Sequence, residues 1–386
     1  MTLCLFLAGL ATFALLYVPQ PLLPELVAQF QVTATSATLA VSLGTLGLGV
    51  ALLLAGPSTE LWGRTPLMLI SLFASSAVGI ACALAPTWEI LLGLRLLQGF
   101  TLAGLPAVAT AYLREEVHAS ASSRATGLYI GGTAIGGMSG RLIVGAVTDL
   151  LGWRLATATI GLVGLACAVV VLIFLPRSRN FRPLLARPSV ILKLFARAVS
   201  DPALLALYGI SGTLMGGFVA VYNAMGFRLA EPPYALPLSL ASLVFASYAI
   251  GSFSSSYAGR LADRHGHRSV VPWAVVMCLA GLTIMMARPL PVLILGMVVM
   301  TAGFFAAHGV ASGWVAARSA ARGGGAGQAA SLYLFAYYLG SSIFGGLVGG
   351  AWDRFHWTGV TALVAALWLV ALGLALLLRR IKPIAP

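Results

Sequence analysis

The chain has 386 residues, of which 60% are hydrophobic and only 9% are charged. A soluble protein would carry about a quarter charged residues, so this composition excludes an ordinary soluble domain and indicates an integral membrane protein. The net charge of +13 does not require a nucleic-acid partner, because its placement along the chain follows membrane topology.

Apolar runs of roughly 20 residues recur along the whole chain, and each is long enough to cross a hydrocarbon core of about 30 Å as a helix. Twelve spans are predicted, six in each half. Pro19, Pro21, Pro24 and Pro106 predict kinks in the first and fourth spans. The spans lie near residues 3–28, 36–56, 66–85, 89–113, 124–147, 153–175, 201–225, 238–258, 270–287, 290–316, 327–350 and 357–378.

The two halves of the chain repeat each other. The stretch Gly56–Arg64 is matched 203 residues later within Gly259–Arg268, and in both an acid follows the first glycine by four positions and a second glycine by seven. Further along the offset is 204, as for Trp153 and Trp357. This sustained offset indicates an internal duplication, so two related bundles are expected, with the functional site where they meet.

Basic residues predict the orientation and the linker. Of the 23 lysines and arginines, 17 fall at the C-terminal end and in loops that are cytoplasmic if the N-terminus is cytoplasmic, as the positive-inside rule requires. The stretch 176–200 holds three prolines and six basic residues, so it is predicted to be a cytoplasmic linker that joins bundle 1–175 to bundle 201–386. A short helix around Lys193 is expected on the membrane surface, and Asp201–Pro202 predicts the start of the seventh span.

Two sets of six spans, a basic central loop and the doubled Gly-x-x-x-acid-x-x-Gly-Arg loop resemble the major facilitator superfamily over essentially the whole chain. The stretches Tyr17–Glu25 and Gly131–Arg141 resemble the efflux permeases grouped with bacterial YnfM-type transporters. The resemblance implies an all-α protein of the bacterial cytoplasmic membrane, with twelve transmembrane helices in two pseudo-symmetric six-helix bundles. Both termini are expected in the cytoplasm, and a monomer is expected.

The doubled loop is the candidate gate. The resemblance implies that this turn locks the inner face in the outward-open state. The first copy departs from the pattern, with Glu60 for aspartate and Leu61 for a base, which predicts a weaker lock. A plain turn carrying topology charge is the alternative in each copy. The gate residues are Gly56, Glu60, Gly63 and Arg64 in the first copy and Gly259, Asp263, Arg264, Gly266 and Arg268 in the second.

Span four carries Arg95 and Gln98 one turn apart, in a pattern that resembles a second motif of the superfamily. An arginine within a span is costly unless it faces a polar cavity or a partner. The resemblance therefore makes Arg95 a candidate for substrate or proton coupling. The alternative is that Arg95 extends outward to the lipid headgroups.

Span five carries Gly132, Gly136 and Gly140 at four-residue spacing, followed directly by Arg141. The stripe resembles the antiporter motif of the superfamily, although Gly137 and Arg141 replace residues that are usual there. Close helix packing is the alternative. Because no acid is predicted in the middle of a span, a cavity with two arginines would favour an anionic or polar neutral substrate.

His308 is the only histidine predicted within a span. It could titrate in the working range or serve as a hydrogen-bonded packing residue, and Glu25 is the other candidate for proton binding. The residues predicted for the substrate or proton pathway are Tyr17, Gln20, Arg95, Gln98, Arg141, Asn223, His308 and Tyr333.

These features predict a secondary transporter that works by alternating access and exports a small organic solute in exchange for protons. Facilitated or exchange transport of an organic anion or a sugar remains open, as do a non-transporting sensor and a membrane-embedded enzyme. The sequence offers no phosphate-binding loop, base–nucleophile pair or metal-ligand set. No enzymatic activity, cofactor or metal is therefore expected; the expected partners are the substrate, protons and the lipid bilayer.

Overall fold

The computed structural model describes residues 1–181, 188–322 and 324–381, without the side chains at 55–62, 114, 119–123, 188 and 191. Every regular element in these ranges is helical. The helices are α1 Thr2–Tyr17, α2 Pro19–Phe30, α3 Ala34–Ala37, α4 Leu39–Trp62, α5 Arg64–Ala83, α6 Trp88–Leu102, α7 Gly104–Glu116, α8 Ala119–Phe174, α9 Pro188–Val199, α10 Pro202–Ala230, α11 Leu238–Ser242, α12 Ala249–His265, α13 His267–Ile284, α14 Leu290–Ala321 and α15 Ala326–Leu377, with a 3₁₀-helix at Leu243–Tyr248.

The helices of the described residues confirm an all-α membrane fold. Ten stretches are long and apolar enough to cross a membrane, and two of them, in α8 and α15, exceed 50 residues. Each long helix contains one residue with a non-helical backbone, Gly152 (φ 82°) in α8 and His356 (φ 47°) in α15. Division at these two residues gives the twelve spans that the apolar runs predict.

The regular helices of the first and fourth spans are interrupted near the prolines at which kinks are predicted. Val18 separates α1 from α2, and Ala103 separates α6 from α7. Ser71 of α5 bridges the second break, because its hydroxyl donates to the carbonyl of Thr101 at 2.6 Å and accepts from the amide of Leu105 at 3.3 Å. A side chain inserted into the helical ladder is a known cause of such a kink.

The eighth span departs from the prediction of one continuous α-helix over 238–258. It begins with the short helix α11, passes through the 3₁₀-helix Leu243–Tyr248 and continues as α12 to His265. Apolar periodicity does not separate the two helix types over so few residues, because both place residues three or four apart on the same side. The sequence therefore predicts the span but not its change of pitch.

The chain packs into two compact units. The first comprises Met1–Leu185 and Asn223–Ala246, and the second comprises Ala186–Tyr222 and Ser247–Pro386. In the first unit, α1 lies along α8. In the second, α14 packs against α12 and α13.

Within the predicted linker, residues 182–187 lie outside the described ranges, and α9 provides the expected short helix. Asp201 then caps α10 as predicted, since its carboxylate accepts from the amide of Ala203 at 2.9 Å. Arg318 donates to both oxygens of the same carboxylate, at 2.7 and 2.9 Å. Burial raises the pKa of Asp201, but the hydrogen bonds from Arg318 and Ala203 outweigh it and hold this pKa below its usual value.

Candidate functional site

Arg95 of α6 binds the broken end of α1. Its Nε donates to the carbonyl of Ala40 at 2.9 Å and its Nη1 to the carbonyl of Leu15 at 3.3 Å. The same guanidinium also donates to the Leu16 carbonyl and to Oε1 of Gln98. The side chain is only 2% exposed, so it points into the protein rather than outward to lipid headgroups. Arg95 and Gln98 therefore share one face, as predicted.

Pro19 explains why one of these carbonyls, that of Leu15, needs an external donor. In a continuous helix, the amide of residue 19 would donate to the Leu15 carbonyl, but Pro19 has no N–H. The guanidinium of Arg95 supplies that donor. Gly44 of α4 leaves the space, because a Cβ at this position would lie 2.8 Å from Nη2 of Arg95. Nothing in the sequence pattern of Gly44 alone reveals this role.

Arg141 of α8 lies between two aromatic rings of the first unit. Its Nε donates to Oε1 of Gln20 at 2.6 Å, and its Nη1 donates to the carbonyl of Gly137. The guanidinium carbon lies 4.2 Å from the ring centre of Tyr17 and 5.0 Å from that of Phe245. Such cation–π contacts stabilise a desolvated charge, and Arg141 is only 1% exposed.

Gln20 connects Arg141 to Asn223 of α10. Because a guanidinium only donates, the carbonyl of the Gln20 amide faces Arg141 and its NH₂ group faces Asn223. This Nε2 donates to Oδ1 of Asn223 at 2.8 Å. Three predicted pathway residues, Gln20, Arg141 and Asn223, therefore form one buried polar cluster in the first unit, and Tyr17, a fourth, contacts it through Arg141. Phe245 is an addition that sequence reasoning missed, since an aromatic residue in an apolar span carries no separate signal.

In the second unit, the structure brings His308 and Tyr333 together. Nδ1 of His308 lies 3.0 Å from the phenol oxygen of Tyr333, and this phenol donates to the backbone carbonyl of His308 at 3.3 Å. Both bonds are satisfied when Nδ1 carries the proton, and that tautomer leaves Nε2 as the acceptor. The ring of Tyr337 lies 4.7 Å from the imidazole. The phenol of Tyr333 therefore fixes the Nδ1 side of the imidazole.

Sequence reasoning missed an aromatic cluster that borders His308. Phe304 stacks parallel to the imidazole at 5.9 Å and stacks on Phe218 at 3.8 Å. Tyr222 lies 4.9 Å from Phe218, and its phenol lies 2.8 Å from the hydroxyl of Thr301. Aromatic residues four positions apart in span seven, at 218 and 222, were the signal available for this cluster. Its rings could contact the flat face of an organic solute.

The first copy of the gate is held by an ion pair. Nη2 of Arg64 lies 2.9 Å from Oε1 of Glu115, and the guanidinium carbon lies 4.7 Å from the ring centre of Phe181. Gly63 has φ 79°, a conformation that favours glycine. The side chain of Glu60 lies outside the described residues, and Gly56 belongs to the same stretch 55–62. Sequence reasoning missed Glu115 as the partner of Arg64. Glu115 follows the fourth span and the motif follows the second, so both were predicted on the cytoplasmic side.

The second copy of the candidate gate is mostly exposed on the surface. Gly266 has φ 80°, a conformation that favours glycine, and a Cβ at Gly259 would meet nothing within 4 Å. Asp263 and Arg264 are exposed and form no ion pair within the described part of the chain. Arg268 donates to the carbonyl of residue 379 at 3.4 Å.

Glu116 fixes the segment that follows the sixth span. Its Oε1 accepts from the amides of Arg179 and Asn180 at 2.7 and 2.8 Å and from the hydroxyl of Ser178 at 2.8 Å. Partial burial raises the pKa of Glu116, but these hydrogen bonds outweigh it and hold this pKa below its usual value. The beginning of the linker is thereby tied to the end of α7.

The glycine stripe of span five is a packing seam. A Cβ at Gly132 would lie 2.3 Å from the carbonyl oxygen of Phe6, and one at Gly136 would lie 2.1 Å from that of Leu10. At Gly140 a Cβ would meet the next turn of α1 at 2.8 Å. No side chain fits at such distances, so the stripe lets the backbones of α1 and α8 touch.

Comparisons with known proteins agree with this architecture. The family model described as Major Facilitator Superfamily matches residues 3–246. The chain is 41% identical over 374 residues to the MFS-type transporter YybF of Bacillus subtilis (strain 168), and the matched region covers 97% of this chain and 92% of YybF. It is 40% identical over 371 residues to the inner membrane transport protein YnfM of Escherichia coli (strain K12), with 96% and 88% covered. The solved structure of a D-xylose-proton symporter has a TM-score of 0.78 at 17% identity, covering 99% of this chain and 97% of that one, and bears on the fold alone.

Proposed function

The chain belongs to the Major Facilitator Superfamily, and we propose that it exports a small organic solute in exchange for protons across a bacterial inner membrane by alternating access. The bundles 1–175 and 201–386 are the moving bodies in this proposal. The linker 176–200 and both termini are cytoplasmic, as the distribution of basic residues suggests.

The observation that carries the proposal is the bonding of Arg95. All of its acceptors in the described part of the chain are uncharged oxygen atoms. A buried guanidinium without a carboxylate keeps its positive charge, at a desolvation cost of several kcal/mol. Leu15 and Leu16, which it binds, directly precede Tyr17, whose ring contacts Arg141. Two positive charges therefore act on one short stretch of α1.

This arrangement favours a solute with an acidic or strongly polar group. Arg141 presents a planar fork of donors that matches a carboxylate, and an arriving anion can replace the neutral Gln20 oxygen as its acceptor. Within the second unit, Phe304 and Tyr337 have rings of the kind that pack on the carbon skeleton of an organic acid.

Proton coupling needs a group that titrates, and His308 is the candidate with the clearer geometry. Its Nδ1 is engaged by Tyr333, so a proton would be gained and lost at Nε2. Glu25 is the second candidate, and a carboxylate on the substrate is the third. His308→Gln should uncouple solute flux from the pH gradient if the histidine carries the proton.

Transport in proteoliposomes tests the proposal. A panel of labelled organic acids, sugars and neutral solutes would be measured with and without an imposed pH gradient. Arg141→Gln should abolish the gradient-driven flux, whereas Arg124→Gln, an exposed arginine at the start of the same helix, should retain it. Flux that ignores the gradient would refute proton exchange and favour facilitated or exchange transport of an anion or sugar. Equal flux in the two variants would refute the role of Arg141.

A further inference from the structure

The second unit contains a basic cavity that the proposed transport does not use. It has a volume of about 540 Å³ and lies where α9 meets the start of α10 and the end of α14, a size typical of small-molecule sites. Its lining residues are Lys193, Leu194, Ala196, Arg197, Ala198, Ser200, Leu204, Ser319, Arg322 and Gly324.

The charge of this cavity is strongly positive. Lys193, Arg197 and Arg322 line it, and the carboxylate beside it, Asp201, is fully buried and already accepts two hydrogen bonds from Arg318. Arg322 lies 3.3 Å from the same carboxylate, but half of its side chain is exposed, so several of its donors remain available. One carboxylate therefore does not neutralise the surrounding cations.

Lys193 and Arg197 have no ion-pair partner among the described residues. They stand one turn apart on α9, so they present their charges on the same side of the helix. Two cations close together with no counter-ion repel each other, and that repulsion is relieved when an anion binds. A phosphate suits the site because arginine binds its oxygens in a planar fork and lysine binds them as a point charge.

Exposed apolar side chains lie on two of the helices that border the cavity. On α9, Leu192 is 70% exposed and Val190 and Val199 are each 46% exposed. Leu205, at the start of the apolar helix α10, is 48% exposed. An amphipathic helix of this kind places its apolar side chains among acyl chains and its cations at the headgroups. A free phosphate would use only the cations, whereas a phospholipid would also cover these apolar side chains.

We propose that this cavity binds the phosphate of an anionic phospholipid and thereby anchors the linker helix α9 to the membrane. Basic pockets at the ends of membrane helices are suited to such headgroups. Arg95 and Arg141 are not among its lining residues, so the proposal stands whatever the solute proves to be.

Native mass spectrometry of the full-length protein tests the proposal with phosphatidylglycerol, phosphatidylcholine and inorganic phosphate as probes. The double variant Lys193→Gln/Arg197→Gln leaves the Asp201–Arg318 pair intact. The matched control is Arg260→Gln/Arg380→Gln, which removes two exposed arginines elsewhere in the same unit. The double variant should lower the affinity for phosphatidylglycerol roughly tenfold or more relative to the control, because two basic contacts are lost.

Three results would overturn the proposal. Equal loss of phosphatidylglycerol in the double variant and its control would show that the cavity is not the site. Equal binding of phosphatidylcholine would remove the role of headgroup charge. Inorganic phosphate that bound as tightly as phosphatidylglycerol and displaced it fully would identify a soluble anion as the ligand. Thermal unfolding of each variant confirms that binding is compared between folded proteins.

Discussion

Replacing Arg95 by lysine tests whether the shape of the guanidinium, and not only its charge, holds the broken first helix. The guanidinium donates to three backbone carbonyls and to Gln98. An ammonium is a point charge with three donors, and it cannot reach acceptors that lie on opposite edges of the fork. About two acceptors should lose their donor. Hydrogen bonds to charged groups contribute about 1.5–3 kcal/mol each, so Arg95→Lys should destabilise the protein by about 3–6 kcal/mol.

Thermal unfolding in detergent, followed with a thiol-reactive dye, measures this effect. The four cysteines, Cys4, Cys82, Cys167 and Cys278, are free and buried, so they become reactive only on unfolding. Arg95→Lys should lower the unfolding temperature and abolish transport, while Arg124→Lys, an exposed control, should change neither. An Arg95→Lys protein that unfolds and transports like the wild type would refute the capping role of the fork.

Three further changes probe the packing seam, the linker junction and the gate. Gly136→Ala should destabilise the protein by about 1–3 kcal/mol through overpacking, measured by the same unfolding assay, whereas Gly127→Ala, where a Cβ meets nothing within 4 Å, should be neutral; equal effects would contradict the seam. Asp201→Asn should destabilise by about 3 kcal/mol at neutral pH. Since the folded pKa of Asp201 is lowered, its contribution is complete above the usual aspartate range and is lost as pH falls through the folded pKa, so wild type and variant should converge in acid; a pH-independent difference would contradict the linkage. Asp263→Asn should impair transport more than Glu60→Gln at equal expression, because only the second gate copy keeps the full motif; equal transport would show that the copies are equivalent.

The spans and their kinks could be predicted from the sequence because their causes are local. An apolar run must be long enough to cross the bilayer, and a proline such as Pro19 breaks the helical ladder wherever it occurs. The turns at Gly63 and Gly266 also have a local cause, since a positive φ excludes most side chains. The change of pitch at Leu243–Tyr248 has no such local cause and was not predicted.

The contacts of the candidate site could be predicted only in part. Arg95 and Gln98 lie one turn apart, so their shared face follows from helical periodicity. The carbonyl acceptors of Arg95 could not be predicted. Pro19 leaves the Leu15 carbonyl without its helical donor, but the sequence does not say which side chain reaches that carbonyl, nor that the Ala40 carbonyl of α4 lies beside it. Glu115, the partner of Arg64, lies 51 residues away along the chain, and the sequence alone does not reveal that these two residues pair.

The most direct test of the central claim is the movement of protons with solute in sealed proteoliposomes that contain a trapped pH-sensitive dye. With a transported organic solute, we expect solute flux to drive opposite proton flux in the wild type and neither flux in Arg141→Gln. Solute flux in the wild type with no movement of protons would contradict the account of this protein as a proton-exchanging transporter.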